Sequence, residues 1–244
     1  MTDLLYMRDN YLREFDAAIQ KVGEDYLVLD QTAFYYLGGG QSSDRGSLSF
    51  EGTSLIIYEV RKAEGEIRHY IKDPIPLEVG TKVHGKLDWD FRYECMRFHT
   101  AQHLLSRYLQ LEYDLTTVGN MIKPGRSRAD FTPLHSFDDA MKREVETGVN
   151  ALFAREMDVE TKMMPRAEAI AFLNERGYQT RYLEMVPENV TDFRVLIIGD
   201  YDAASCAGTH IANTREIGTI KIGKSKNIGA GKQRIYFSLE PPQA

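Results

Sequence analysis

His99 and His103 lie four positions apart, and so do Cys206 and His210. Within a helix that spacing sets two side chains on one face, one turn apart. Three neutral imidazoles and one thiolate make a closed tetrahedral donor set for a Zn²⁺ ion. Alone, an HxxxH pair is more often two helix-surface histidines, or one buried and hydrogen-bonded. Two matched pairs, in a chain with only 6 histidines and 2 cysteines, shift the balance toward one shared zinc per chain. The donor count leaves two roles open. A fully protein-ligated zinc is structural, whereas a catalytic one keeps an open position. Either one ligand gives way to substrate or water, or the metal holds the wall of a pocket. Gly208, between the members of the second pair, accommodates a tight turn. Cys95 reads as a core residue. His69, His84 and His135 lack a partner at ligand spacing and read as surface or core.

The elements that must position these residues fall into two regions. Over residues 1–88 short β-branched and aromatic runs recur: LLYM, DYLVLD, SLIIYEV and IRHYI. Asp9-Asn10, Gly38-Gly39-Gly40 and Asp73-Pro74 punctuate them, which predicts a small β-barrel. Near Leu87 the pattern changes. Residues 91–110 hold no Gly or Pro and place apolar residues at helical spacing, so both histidines of the first pair fall on a helix. A second helix is expected after Ser136 as N-cap, with Asp138 and Asp139 in its first turn, running towards Met157. A third is expected from near Pro165 to Gly177. RYLEMV, FRVLIIG, GTIKIG and QRIYFSL read as strands. Residues 89–244 thus read as an α+β domain with an antiparallel sheet. The closing EPPQA reads as a frayed tail.

Composition narrows the class. The chain has 244 residues, 43% hydrophobic and 27% charged, which suits a folded globular protein of one large or two modest domains. No apolar run approaches the ~20 residues that span a bilayer. The N-terminal MTDLLYMRDNYLREFD is too charged for a secretory signal, so a cytoplasmic protein without membrane contact is expected. Net charge is −6, which argues against a non-specific DNA coat. Residues 1–88 hold 10 of the 30 basic and 15 of the 36 acidic residues, so a basic surface is expected in the second region.

Taken together, the motifs resemble a known family. RFHTAQHLL at 97–105 with CAGTHIANTREIG at 206–218 is similar to the editing domain of alanyl-tRNA synthetase. The related domain of threonyl-tRNA synthetase shares the paired histidines and the later Cys and His. VGNMIKPGRSRADF at 118–131 is similar to the segment after the HxxxH helix, and DQTAFYYLGGGQSSDRG at 30–46 to the glycine-rich motif of the preceding domain. There is no room for an aminoacylation core. The chain therefore resembles the free-standing alanyl-tRNA editing proteins, the AlaX family, of the medium-length type. Ala207 stands where many relatives have a second glycine.

The resemblance implies a trans-editing hydrolase. Its substrate is mischarged tRNA(Ala), chiefly seryl-tRNA(Ala) and, in some members, glycyl-tRNA(Ala), and it carries a metal at His99, His103, Cys206 and His210. A pocket that selects alanine by size rejects an added hydroxyl only about 100-fold, so a second site that hydrolyses the wrong ester is useful. That site needs a hydrogen-bonding group for the serine hydroxyl. Thr32, Gln41 and Gln102 are the candidates, Thr32 foremost; its competing reading is an ordinary turn or strand threonine. Gly38, Gly39 and Gly40 would let backbone N–H groups approach the substrate. Around the RNA partner, Arg215, Lys221, Lys224, Lys226, Lys232 and Arg234 face one acid, Glu216, and Lys123, Arg126 and Arg128 add a second group. Of these, Arg128, Lys224, Lys226 and Arg234 are the expected phosphate contacts. A solvated strand face is the alternative reading for about half of them.

Two other functions remain open: a zinc-bearing tRNA-binding module without turnover, and a metal hydrolase of another acyl ester. The spacing from Gly218 to Ser225 fits a phosphate-binding loop, but TIKI reads as a strand and no helix follows, so the match is set aside. Neither spacing nor resemblance decides between a monomer and a homodimer.

Overall fold

The computed structural model describes residues 2–242 except 179, 181, 182, 184 and 185. Chain packing separates two compact units, residues 1–96 and 97–244. The division falls within one long helix, α1 (Trp89–Tyr113).

The first unit is a closed barrel. Strands β1 (Asp3–Leu4), β2 (Glu14–Val22), β3 (Tyr26–Leu29), β4 (Gln31–Thr32), β5 (Gly46–Phe50), β6 (Thr53–Ala63), β7 (Glu66–Ile71) and β8 (Lys82–Leu87) precede α1. Six of them close in the order β2-β3-β7-β6-β5-β8. Closure leaves no sheet edge unpaired. Alternate residues point inward, and Phe15, Ile19, Leu27, Leu48, Ile57 and Val83 fill the interior. Outside the barrel, β1 pairs parallel with β4, setting Leu4 opposite Thr32. The LLYM run does not form the strand expected of it. Pairing stops at Leu4, Leu5–Met7 turn into a 3-10 helix, and Tyr6 is buried. Strands β2, β5 and β8 add to the runs legible in the sequence.

The glycine-rich segment is a two-residue hairpin. Gly38 and Gln41 exchange backbone hydrogen bonds, and Gly39 and Gly40 both sit at positive φ, +55° and +83°. Left-handed backbone at both central positions is what a type I′ turn requires and what glycine permits. The base of the hairpin is held by a buried ion pair. Asp44 accepts the Tyr35 N–H, and Arg92, from the first turn of α1, pairs with Asp44 and donates to the carbonyls of Asn10 and Ala33.

The second unit has two antiparallel sheets. β9 (Thr116–Met121), β10 (Ser127–Thr132), β14 (Thr219–Asn227) and β15 (Gln233–Glu240) form one, ordered β14-β15-β10-β9. β11 (Val159–Pro165), β12 (Asp192–Ile198) and β13 (Asp202–Ser205) form the other, in that order. Helix α3 (Arg166–Glu175) buries Ala169 and Leu173 with Phe193, Val195 and Ala203 of the second sheet. Helix α2 (Asp139–Phe153) buries Val145, Val149 and Phe153 at spacings of four. Its N-cap is Asp138, whose carboxylate accepts from the N–H groups of Ala140 and Met141, so Ser136 is not the cap. It ends at Phe153, short of Met157, and the chain turns at Glu156 with φ +53°.

α2 also covers an exposed edge. Asn150 takes the Ile220 N–H and donates to its carbonyl, while Glu146 takes the Ile222 N–H. These bonds satisfy one half of β14, an edge strand. RYLEMV at 181–186 lies largely outside the described residues. Among the described residues no helix is long and apolar enough to cross a membrane.

Candidate metal centre

His99 and His103 project from one face of α1. Cys206 and His210 sit in the loop after β13. One ligand atom from each of the four lies within 4.8 Å of the others. The Cys206 Sγ is 3.7 Å from His99 Nε2 and 3.4 Å from His210 Nε2. A tetrahedral zinc, with bonds of ~2.0–2.1 Å to nitrogen and ~2.3 Å to sulfur, spaces its ligand atoms by roughly 3.3–3.6 Å. The chemistry of the donor set suits such an ion, and the two sulfur–nitrogen distances lie close to that range.

The surroundings aim the rings. His103 Nδ1 faces Asp202 Oδ2 at 3.3 Å, and His210 Nδ1 faces Thr100 Oγ1 at 3.2 Å. Holding Nδ1 in this way leaves Nε2 of both rings for a metal. Arg194 of β12 is buried and donates to the carbonyls of Cys206 and Gly208, shaping the loop that bears the second ligand pair. Gly208 contributes its N–H, which lies 3.4 Å from the Cys206 sulfur. Downstream, Asn213 and Glu216 form a reciprocal cap on the 3-10 turn Thr214–Ile217. Buried Arg97 of α1 donates to the Glu216, Ile217 and Glu240 carbonyls, tying the ligand helix to that turn.

Electrostatics favour the ligating form of the sulfur. Burial alone would raise the Cys206 thiol, but the His99 and His210 imidazoles and hydrogen bonds from His103 and His210 overcome it and hold it well below the usual thiol value. Burial and the neighbouring His99 push His210 down to about 3, so it is neutral. For His103, burial works downward, yet the hydrogen bonds to Asp202 and Cys206 raise it to about 10.

The other expected residues have varied surroundings. Gln102, on α1 between the two histidines, donates from Nε2 to Ser106 Oγ at 2.6 Å. Gln41 is fully buried at the base of the glycine turn. Thr32 is also fully buried, with its Oγ1 2.8 Å from His69 Nε2 and 3.1 Å from the Phe34 N–H it accepts. Gly39 and Gly40 are exposed at the hairpin tip and Gly38 is half-buried. On the four-stranded sheet Arg234 binds Asp130 through two bonds of 2.8 and 2.9 Å, and Arg128 shares the same carboxylate at 2.9 Å. Lys224 and Lys226 are exposed on β14. The stretch from Gly218 to Ser225 runs into that strand, so it forms no phosphate-binding loop. Cys95 is buried, and burial raises its thiol, as suits a core residue.

Asp202, Thr100 and Arg194 escape a reading by motif. They act through hydrogen bonds that form only once β12 and β13 fold back on α1. The pattern DxxxC in DYDAASC is the one hint, and it carries no metal-ligand spacing of its own.

The site belongs to a recognisable lineage. Residues 193–236 match the family model described as threonyl and alanyl tRNA synthetase second additional domain. Residues 6–91 match the model described as tRNA synthetases class II (A). The chain is 37% identical to the alanyl-tRNA editing protein AlaX-M of Methanosarcina acetivorans, across 98% of this chain and 99% of that protein. It is 32% identical to AlaX-M of Saccharolobus solfataricus, across 99% of this chain and all (100%) of the other. It is also 36% identical to the alanine–tRNA ligase of Pyrococcus furiosus, where 97% of this chain spans 26% of the ligase. By end-to-end likeness and by its four-donor cluster, the chain belongs to the AlaX-M family of alanyl-tRNA editing proteins.

Proposed function

We propose that this protein is a trans-editing hydrolase that deacylates mischarged tRNA(Ala) in the cytoplasm, chiefly seryl-tRNA(Ala) and secondarily glycyl-tRNA(Ala). The observation that carries this reading is the His99, His103, Cys206 and His210 cluster in a chain collinear with the AlaX-M proteins. The reaction adds water to the ester carbonyl carbon and breaks its bond to the terminal ribose oxygen, releasing the amino acid and uncharged tRNA. Three nitrogens and one sulfur favour zinc, one per chain. When bound, such an ion supplies a Lewis acid and a fixed positive charge near the ester. Asp202 and Thr100 hold two of the ligand rings in orientation, and Arg194 fixes the loop that presents the thiolate. Thr32 reads the serine hydroxyl, with Gln41 and Gln102 as lesser candidates. The exposed hairpin tip at Gly39 and Gly40 lets its backbone approach the substrate. Lys224 and Lys226 contact RNA phosphates, with weaker help from Arg128 and Arg234, whose charge is partly spent on Asp130.

One observation favours a second reading. Four protein donors close a tetrahedral shell, which is the pattern of a structural ion. The corresponding protein is a zinc-bearing tRNA-binding module without turnover. Deacylation of seryl-tRNA(Ala) by substoichiometric protein, with and without chelator, separates the two. Many turnovers per protein that are lost on chelation support the hydrolase; release that stops at one equivalent supports the module.

A further inference from the structure

The four-stranded sheet has two unlike faces. Ala129, Phe131, Ile235 and Phe237 are buried on one, where Phe237 meets Phe98 of α1 with ring centroids 5.8 Å apart. Strand alternation sends Arg128, Arg234 and Tyr236 to the other. Register gathers them: Arg128 is the cross-strand partner of Tyr236, Asp130 of Arg234, and Arg234 of Lys226. Arg128 and Arg234 both bond to the Asp130 carboxylate, which holds their guanidinium groups against the sheet. Arg126, in the turn before β10, lies over the Tyr236 ring with its Cζ 4.1 Å from the centroid. Buried Ser127 fixes that turn, its Oγ accepting the Lys123 N–H and donating to the Lys123 carbonyl, both at 3.1 Å. Arg126 is itself exposed, and among the described residues it has no hydrogen-bond or ion-pair partner. Around Tyr236 four cations, Arg126, Arg128, Lys226 and Arg234, therefore meet one acid, Asp130, in a chain whose net charge is −6. The patch ends where Lys221 pairs with Glu146.

We propose that Arg126 and Tyr236 form a stacking seat for an unpaired base of the tRNA, flanked by Arg128, Lys226 and Arg234, which meet the adjoining phosphates. This rests on the editing reading, which supplies RNA as the partner. Charge selects a polyanion for this face, and the flat pair within it selects the kind. A guanidinium plane laid on a tyrosine ring presents a π surface that any base can cover. Its N–H edge stays available to a phosphate while the plane is stacked. In a duplex the base faces are shut inside the stack, so only splayed nucleotides can use such a seat. Phosphate contact alone would need the charges and not the ring. The opposite face of the same sheet packs on the metal-bearing helix, so the seat is separate from the metal centre and holds a nucleotide other than the esterified one.

The test measures binding of wild type, Tyr236→Leu, Tyr236→Trp and Arg126→Lys to uncharged tRNA(Ala), to a short unpaired RNA and to a blunt RNA duplex, across salt concentrations. Tyr236→Leu and Arg126→Lys are each expected to weaken the unpaired RNA and the tRNA about tenfold. Both should leave the duplex affinity unchanged, and the slope of log K against log salt as well, because neither removes a charge. Tyr236→Trp should keep the affinity, and its emission, above that of Trp89, the sole native tryptophan, should be quenched by unpaired RNA and not by duplex. That variant keeps a large flat ring, and Arg126 is exposed, so the test does not depend on the leucine variant folding. Equal losses on duplex and unpaired RNA, or an unquenched tryptophan, overturn the seat and leave a phosphate-binding face only. Deacylation of seryl-tRNA(Ala) by wild type is assayed alongside. If wild type deacylates it while the variants bind unpaired RNA as wild type does, this inference fails alone. If wild type turns over none yet binds tRNA(Ala) with the expected losses in the variants, the seat stands and the editing reading fails. If wild type neither deacylates nor binds tRNA(Ala), both fail together.

Discussion

His103 presents Nδ1 to Asp202 Oδ2 at 3.3 Å while turning Nε2 toward the Cys206 sulfur, so one carboxylate orients a ring that belongs to the metal cluster. Asp202 is itself largely buried. Asp202→Asn keeps the shape and removes the charge. It is expected to weaken zinc affinity about 10–100-fold, measured by competition with a chromogenic chelator. Unchanged affinity would show that the carboxylate has no hold on the ligand.

Metal uptake should be proton-linked, with an assignable source. With the ion removed, burial disfavours a charged His103, but the bonds to Asp202 and Cys206 raise it to about 10, whereas the Cys206 thiol is held well below its usual value. At pH 7–8 zinc uptake is therefore expected to release one proton, from His103. Affinity should rise about tenfold per pH unit up to about pH 10. Calorimetry in buffers of different ionisation enthalpy counts the protons; a count of two or more would place the thiol proton back on sulfur.

His69 makes acid stability predictable. Burial lowers it to about 4, against an unfolded value near 6.5, so the folded ring stays neutral while the unfolded chain binds a proton. The sign follows: no penalty above pH 6.5, a growing loss as pH falls toward 4, and a constant one below. At pH 5 the loss is about 2 kcal/mol. Urea unfolding at pH 7 and pH 5 should show that fall in wild type and its absence in His69→Gln.

The buried pair beneath the glycine hairpin is expected to be intolerant of half-removal. Arg92 is 0% exposed and Asp44 1%. Asp44→Asn or Arg92→Met strands the opposite charge and should cost about 3–5 kcal/mol. The double substitution Asp44→Leu with Arg92→Met should recover part of it. Denaturant melts of the singles and the double, taken as a cycle, give the coupling.

On the four-stranded sheet the cations should not be equivalent. Lys224→Ala and Lys226→Ala are each expected to weaken tRNA binding and to lower the salt slope of log K by about one. Arg234→Ala should do less to the slope, because Arg234 and Arg128 share Asp130. Equal slopes across the three variants would place the RNA elsewhere.

The ligands were legible because each pair is local: two residues four apart declare themselves wherever the chain folds, and composition did the rest. Their supports are not local. Asp202 and Thr100 reach their rings across 99 and 110 positions, and His69 meets Thr32 across 37, so their roles exist only after strands register. Strand β2 escapes a propensity reading because EFDAAIQKV has few β-branched residues, although Phe15, Ala17 and Ile19 alternate as a half-buried strand must. The cap of α2 illustrates a finer limit. Ser136 and Asp138 are both good caps by type, and only the backbone decides that Asp138, extended at ψ 175°, reaches the first free N–H groups.

Strand β14 carries a last consequence. Its first half is sealed by Asn150 and Glu146, while its second half, Lys224 to Asn227, leaves lysines along an open border of the sheet. An open border invites another chain to zip on, and fixed positive charge there repels a like strand. Replacing those lysines to study RNA contact would thus also remove a guard against self-association, so such variants should be checked for aggregation before any loss of activity is read as a loss of grip on the nucleic acid.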